Sequence, residues 1–229
     1  MKLLSSIKWY SKGLYPHPYT EGLLLLVILL QVSIFSNSLI SQSSYYVVQF
    51  IAIPLIVLSN GLHFMRGQSI TVFEVALLGS WSRVSLGKIA ALFMSFIPFI
   101  AAESALLVYF GHTSLLLLVI ASVFVYSSVV LFSSLLSSSS ISLFLTVSVL
   151  FLVPFSITAL LQDYAIIHLR AGLIMSGIVY FLSPVIALEG YKGHYLSMAP
   201  LLGAAIAMVA SVILLVSYHW IFVRTQIKP

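Results

Sequence analysis

Few side chains in this sequence can do chemistry, and their arrangement does not favour catalysis. The 229 residues include five carboxylates and six histidines but no cysteine, which excludes thiol chemistry and cysteine-based metal sites. The one Gly-Lys pair, Gly87-Lys88, is not a Walker A motif, because Ser82 stands where the first glycine belongs and Ile89 replaces the Ser or Thr. No H-E-x-x-H zinc motif occurs. We therefore predict no enzyme activity, no metal site and no bound cofactor.

One acidic residue, Glu103, lies well inside an apolar run that is long enough to cross a membrane. A carboxyl group at that depth is costly, and it faces protein or water rather than lipid. Glu103 is therefore a candidate lining residue of a transport path. The alternative is a structural role, as a hydrogen-bonding group between two helices.

The composition indicates the kind of protein that must position these residues. Apolar residues make up 61% of the chain and charged residues 7%, whereas a soluble domain has about 45–50% and about 25%. So few charges cannot cover a water-facing surface. The composition excludes a soluble enzyme, a disordered protein and a nucleic-acid-binding protein. We predict an all-α polytopic membrane protein that forms a single transmembrane domain over residues 1–229.

Six apolar runs reach the length of about 20 residues that a helix needs to cross a bilayer. The predicted spans are Tyr19–Ile40, Tyr45–Met65, Leu86–Phe110, Thr113–Leu136, Ser140–Leu161 and Met198–Val223. A seventh apolar run, Gly172–Leu188, is short and contains Pro184, which interrupts a helix. We predict that residues 162–197 form an external segment that partly re-enters the membrane, and a full seventh span is the alternative.

The basic residues favour six spans over seven. With six spans and a cytoplasmic N-terminus, eight of the ten Lys and Arg residues lie inside, and only Arg170 and Lys192 lie outside. A seventh span would make the ratio seven to three. We therefore predict a protein of the plasma membrane with both termini in the cytoplasm.

Two further segments have helical periodicity without the composition of a span. In residues 1–17, Leu3, Ile7 and Tyr10 share one face while Lys8 lies opposite, which is typical of a helix in the membrane interface. In residues 66–88, one stripe carries Ile70, Phe73, Leu77, Trp81 and Val84. We predict a single cytoplasmic helix there that packs this stripe on the bundle and turns its smaller residues towards the cytoplasm.

Within that segment the sequence resembles a known family. Phe73–Arg83, FEVALLGSWSR, resembles the L-E-x-L-L-x-x-P-x-S-R stretch of ABC-2-type transporter permeases, which Gly-Lys follows, here Gly87-Lys88. Ser80 stands in place of the proline. The resemblance implies that Glu74, Ser82, Arg83 and Lys88 couple the chain to a separate ATPase subunit.

The resemblance also implies a function and partners. Such permeases are membrane-spanning subunits that pair with a second permease subunit, as a homodimer or heterodimer, and separate subunits bind the ATP. We expect an exporter of this type in the lipid bilayer, without a nucleic-acid partner; a haem-exporter-like permease is a related possibility. The rival interpretation is a non-transporting membrane scaffold or immunity-type protein that docks a cytoplasmic partner.

Overall fold

The computed structural model describes residues 3–11, 18–35, 46, 48–61, 68–111, 113–136 and 139–225, and these residues are almost entirely helical, with no β-strand among them. The predicted all-α class is thus confirmed. The α-helices are α1 (Leu3–Ser11), α2 (Pro18–Phe35), α3 (Ile53–Gly61), α4 (Gln68–Leu78), α5 (Trp81–Ser95), α6 (Ile97–Tyr109), α7 (Thr113–Ser133), α8 (Ser139–Val147), α9 (Val153–Ile166), α10 (Leu173–Leu182), α11 (Pro184–Lys192) and α12 (Pro200–Thr225). Short π-helical turns, Val48–Ala52 and Ser148–Leu152, precede α3 and α9.

Four helices of the described part are long and apolar enough to cross a membrane. They are Trp81–Tyr109, which joins α5 and α6, Leu115–Ser133, Ser140–Ile166 and Pro200–Arg224. These four overlap the last four of the six predicted spans. The first predicted span overlaps α2 and the second contains α3, but residues 36–45, 47 and 62–65 lie outside the described residues.

Helix α7 forms the centre of the bundle. Of its candidate span, 67% is buried, compared with 22–39% for the other three long helices. It packs most extensively against α12 and also contacts α3, α6, α8 and α11. Its side chains are mostly apolar, and its serines Ser128 and Ser133 donate to carbonyl groups of their own helix. A helix that is apolar on all sides is typically buried among other helices or in a membrane.

Residues 171–196 form a helical hairpin that enters the bundle and returns to the place where it began. Helices α10 and α11 meet at Ser183, and Pro184 fits the first turn of α11 because that turn needs no amide donor. The Ala171 amide donates to the Tyr195 carbonyl at 2.7 Å, so the two ends of the segment touch. Its break lies deep in the bundle, where the Tyr126 hydroxyl of α7 donates to the Leu182 carbonyl at 3.1 Å.

The bundle has two distinct ends, which α12 connects. Its first turns pack on α10, where Gly203 lies against Tyr180, and its last turns reach Tyr10 and Lys88 through Tyr218 and Phe222. At 1.5 Å per residue, the 26 residues of α12 extend over about 39 Å. We call the end where α1, α4 and Phe222 meet the α1 end, and the other the opposite end. Helix α1 and the last turns of α12 thus lie at the same end of the bundle.

Candidate functional site

The predicted single helix over residues 66–88 is wrong, because the chain turns sharply at Gly79 and Ser80. Helix α4 ends at Leu78, and Gly79 adopts φ +80°, a left-handed conformation that glycine reaches without strain. Ser80 is extended, and its hydroxyl accepts a hydrogen bond from the Arg83 amide at 3.3 Å. That is an N-cap, worth about 1 kcal/mol. Two helices therefore meet at what we call the elbow, residues 78–83.

The side chain of Arg83, in the first turn of α5, stabilises the elbow by a hydrogen bond to the end of α4. Its guanidinium donates to the Leu78 carbonyl at 3.2 Å, which is one of the unpaired acceptors at the C-terminus of α4. A positive charge at a helix C-terminus also interacts favourably with the helix dipole. Arg83 is exposed and Ser82 is half-buried in the first turn of α5. The ends of both helices at the elbow are thus satisfied by neighbouring side chains.

Glu74 and Lys88 form an ion pair beneath the elbow. Lys88 Nζ lies 2.8 Å from Glu74 Oε2, and the two side chains are 6% and 4% exposed. Two charges removed from water are stable only when they compensate each other, so the pair must stay together. It fixes α4 against α5. Both residues were predicted from the motif as coupling residues, and both are buried where α4 packs against α5.

The N-terminal helix covers this ion pair. Lys88 Nζ lies 5.8 Å from the centroid of the Tyr10 ring. Burial raises the pKa of the Tyr10 phenol, and the charge of Glu74 raises it further, so the hydroxyl stays protonated. Helix α1 approaches α5 closely at Gly87, where an added Cβ would lie 2.9 Å from Cβ of Ser6. In the Gly87-Lys88 pair of the motif, Gly87 thus allows the close approach of α1, and Lys88 is a buried cation.

The last turns of α12 complete the site. The Trp81 and Phe222 rings pack edge to face with centroids 5.9 Å apart, and Lys88 Nζ lies 5.7 Å from the Phe222 centroid. Ser85 Oγ and His219 Nδ1 are 2.9 Å apart and share a hydrogen bond. The elbow is thereby connected to α1, α5 and α12 at once. Sequence reasoning did not assign Tyr10, His219 or Phe222 to this site, because each is distant from the motif along the chain.

The outer face of α4 differs from the predicted one. Phe73 and Leu77 were expected to pack on the bundle, but they are 65% and 56% exposed, while Glu74 between them is buried. Trp81 and Val84 do pack inward, as expected. The turn at Gly79 resets the helical phase, so residues before and after it no longer share one stripe. Phe73, Ala76 and Leu77 form an exposed surface that we call the α4 face.

Glu103 lies in a separate part of the bundle, between α2 and α6. It is 1% exposed, and its Oε1 accepts a hydrogen bond from Gln31 Nε2 at 3.1 Å. A hydrogen bond between two helices is what we expect if Glu103 has a structural role. It does not join the residues at the elbow.

The groups around the elbow connect α4 and α5 to their neighbours by close contacts. The buried charges beside the elbow, Glu74 and Lys88, are paired with each other, and no three His, Asp or Glu side chains of the described residues come close enough to hold a metal ion. Through the Glu74–Lys88 pair, α4 is in contact with α5, and the same pair borders α1 and α12.

Comparison of the sequence with protein-family models gives no match, and a search of curated proteins gives none either.

Proposed function

We propose that the chain is the membrane-spanning permease subunit of an ABC-2-type transporter, an exporter driven by a separate ATPase subunit. The observation that carries the proposal is that the exposed α4 face lies on the same helix as the buried Glu74–Lys88 pair, beside the elbow. A soluble subunit that pushes on the α4 face would move α5 directly. It would also move α1 and α12, because both pack on the same ion pair. The resemblance of Phe73–Arg83 to the permease family supports an ATPase as this soluble subunit.

The proposal includes six spans, an interfacial α1 and a re-entrant segment before the last span. The contact between Ala171 and Tyr195 supports the re-entrant segment, since a chain that returns to its starting point has not crossed the bilayer. The position of α1 and of the last turns of α12 at the same end of the bundle supports an even number of spans. The charge asymmetry of the sequence supports a cytoplasmic α1 end, in a protein of the plasma membrane.

The ATPase partner is tested by purification in mild detergent. We expect a soluble ATPase to elute with the chain, and we expect the chain alone to hydrolyse no ATP, because its sequence holds no Walker A motif. Co-elution with a soluble protein that has no nucleotide site would instead select the scaffold or immunity-type function. ATP hydrolysis by the isolated chain would contradict the proposal that a separate subunit carries the ATPase activity.

The α4 face is the predicted contact with that subunit. Replacing Phe73 and Leu77 with serine should weaken ATPase binding about tenfold, since exposed aromatic and aliphatic anchors dominate interfaces. The matched control is Phe155→Ser, which changes a side chain that is 68% exposed on α9. Binding is measured by the fraction of ATPase that co-elutes at graded concentrations. Equal weakening in the control would show that the effect is not specific to α4.

Arg83→Ala tests the elbow without touching the ion pair. The change removes the bond to the Leu78 carbonyl at an exposed position, so the free energy of unfolding should fall by about 0.5 kcal/mol at most. We expect weaker stimulation of the partner ATPase, because α4 is then less firmly held. Stimulation at the level of the unchanged chain would remove Arg83 from the coupling residues.

Topology is tested by single cysteines in this cysteine-free chain. A cysteine at Lys228 should resist an impermeant thiol reagent added to intact cells, whereas one at Asp163, which is exposed at the opposite end, should react. Permeabilised cells give the control, since both positions should then be labelled. Labelling of Lys228 in intact cells would rule out six spans with a cytoplasmic N-terminus.

A further inference from the structure

An apolar groove of about 460 Å³ runs along the surface of the bundle between α10 and α12, and only apolar residues line it. Its rim includes Leu173, Ile174 and Ile178, which are 62%, 84% and 45% exposed, so the groove is open to its surroundings. Gly177 lies on the floor, where an added Cβ would lie 3.4 Å from Cε of Met198. An exposed apolar surface of this kind is covered by lipid or by protein, because its contact with water is costly.

The groove begins at the opposite end of the bundle and runs inward. Before α10 and α12 begin, the Ala171 amide donates to the Tyr195 carbonyl. Further along the two helices, Tyr180 packs against Gly203, so α10 and α12 run side by side in the same direction. Along Leu173–Phe181 the groove extends over about 12 Å, at 1.5 Å per residue. Half of the hydrocarbon core of a bilayer measures about 15 Å, so the groove has the length and the direction of one acyl chain.

The cation nearest to the groove along the chain is Arg170, two residues before the N-cap of α10. Its side chain is exposed, and among the described residues it makes no ion pair and no hydrogen bond. Of the other charged residues nearby in the sequence, Asp163 lies on α9, Glu189 and Lys192 lie on α11, and none of these three lines the groove. Arginine binds phosphate groups through parallel N–H bonds. Arg170 thus adds an anion-binding group at the open end of an apolar groove.

We propose that the groove holds one acyl chain of an anionic phospholipid, whose phosphate lies at Arg170. The apolar floor and rim accept the chain, and the guanidinium at the boundary between lipid and water pairs with the headgroup. An apolar helix of a second protein would fill the groove but would bring no negative charge to Arg170, so complementary charge favours the lipid. The site goes beyond the permease function proposed above and requires only that the chain lies in a bilayer.

The test measures lipid binding at the groove itself, with a bimane fluorophore on Leu202→Cys in this cysteine-free chain. Leu202 is 52% exposed and lies one helical turn before Ile206, which lines the groove. The full chain is placed in phosphatidylcholine nanodiscs with graded fractions of a second lipid that carries a nitroxide quencher on its acyl chain. We expect phosphatidylglycerol to quench at about fivefold lower mole fraction than phosphatidylcholine with the same chains, as one basic residue near a lipid surface provides. Equal quenching by the two lipids would overturn the headgroup contact.

Two groove variants and two matched controls locate the effect. Arg170→Gln removes the charge and should make the two lipids quench equally. Gly177→Leu leaves Arg170 in place but fills the floor, and it should also abolish the fivefold preference, because the acyl chain no longer fits. Arg224→Gln removes an exposed cation at the α1 end, and Val209→Leu enlarges an exposed side chain of α12 outside the groove. Both controls should keep the preference.

Each outcome bears on the proposal. Loss of the preference in both groove variants, with both controls unchanged, would support it. A preserved preference in Arg170→Gln or in Gly177→Leu would overturn it, and so would equal losses in Arg170→Gln and Arg224→Gln, which would reduce the preference to net charge. Absence of quenching by either lipid would show that protein covers the groove and would overturn the lipid as its occupant. Thermal unfolding of each variant in the same nanodiscs ensures that only folded protein is compared.

Discussion

Removing either partner of the Glu74–Lys88 ion pair is expected to lower the free energy of unfolding by roughly 3–5 kcal/mol. The two side chains are 4% and 6% exposed, with 2.8 Å between Oε2 and Nζ, so either single change leaves a buried charge without compensation. Glu74→Leu strands the ammonium group, and Lys88→Met strands the carboxylate. The loss is measured by denaturant titration in detergent, as the change in the free energy of unfolding.

The double variant Glu74→Leu/Lys88→Met should be much more stable than either single variant. Replacing both charges with apolar groups of similar volume removes the cost of desolvation together with the attraction, and such exchanges are often neutral. Glu21→Leu is the matched control, because Glu21 is exposed at the start of α2; it should cost about 0.5 kcal/mol or less. Losses that simply add in the double variant would show that the two residues do not stabilise each other.

The same double variant also tests the mechanical role of the joint. If α4 needs only a rigid attachment to α5, then an apolar contact should serve as well as an ion pair. We therefore expect the double variant to retain stimulation of the partner ATPase, while both single variants lose it. Loss of stimulation in a stable double variant would show that the charges themselves take part in coupling.

Glu103→Leu is expected to destabilise the chain by roughly 1–3 kcal/mol, the second large effect. The change leaves the Gln31 amide, which is fully buried, without the carboxyl oxygen that accepts its hydrogen bond. Glu103→Gln keeps the shape and an acceptor oxygen, so it should stay within about 0.5 kcal/mol of the unchanged chain. The double variant Gln31→Leu/Glu103→Leu should recover part of the loss, since both polar groups are then removed.

Transport by Glu103→Gln then decides between the two roles of this residue. Its hydrogen bond to Gln31 and its burial favour the structural role, so we expect a transport rate like that of the unchanged chain. A clear change in transport by a variant of normal stability would instead place the charge of Glu103 on the transport path.

The composition and the hydropathy pattern alone determined the class of this protein. Helices in a bilayer form their backbone hydrogen bonds within one segment, so a long apolar run predicts its own structure. The runs that end at Phe110, Leu136, Leu161 and Val223 accordingly correspond to long helices in the structure. The interruption of the run Gly172–Leu188 was predictable for the same reason, because Pro184 acts on the backbone beside it.

The contact between Glu74 and Lys88 beside the elbow could not be predicted from the local sequence. In one continuous helix, Glu74 and Lys88 would lie about 21 Å apart, because fourteen residues rise 1.5 Å each. The turn at Gly79 folds α4 back, and Nζ and Oε2 meet at 2.8 Å. Gly79 and Ser80 carried the local signal for a helix end and a helix start, but the apolar periodicity across them suggested one stripe. Which side of α4 faces outward was therefore predicted wrongly for Phe73 and Leu77.

Only the tertiary structure decided which distant residues meet. The family resemblance marked Glu74 and Lys88, and its depth in an apolar run marked Glu103, but the sequence did not name their partners. Tyr10 reaches Lys88 across 78 positions, Phe222 across 134, and Gln31 reaches Glu103 across 72. Such contacts depend on how whole helices pack. Packing is set by the shapes of many apolar side chains together, and no short stretch of sequence contains that information.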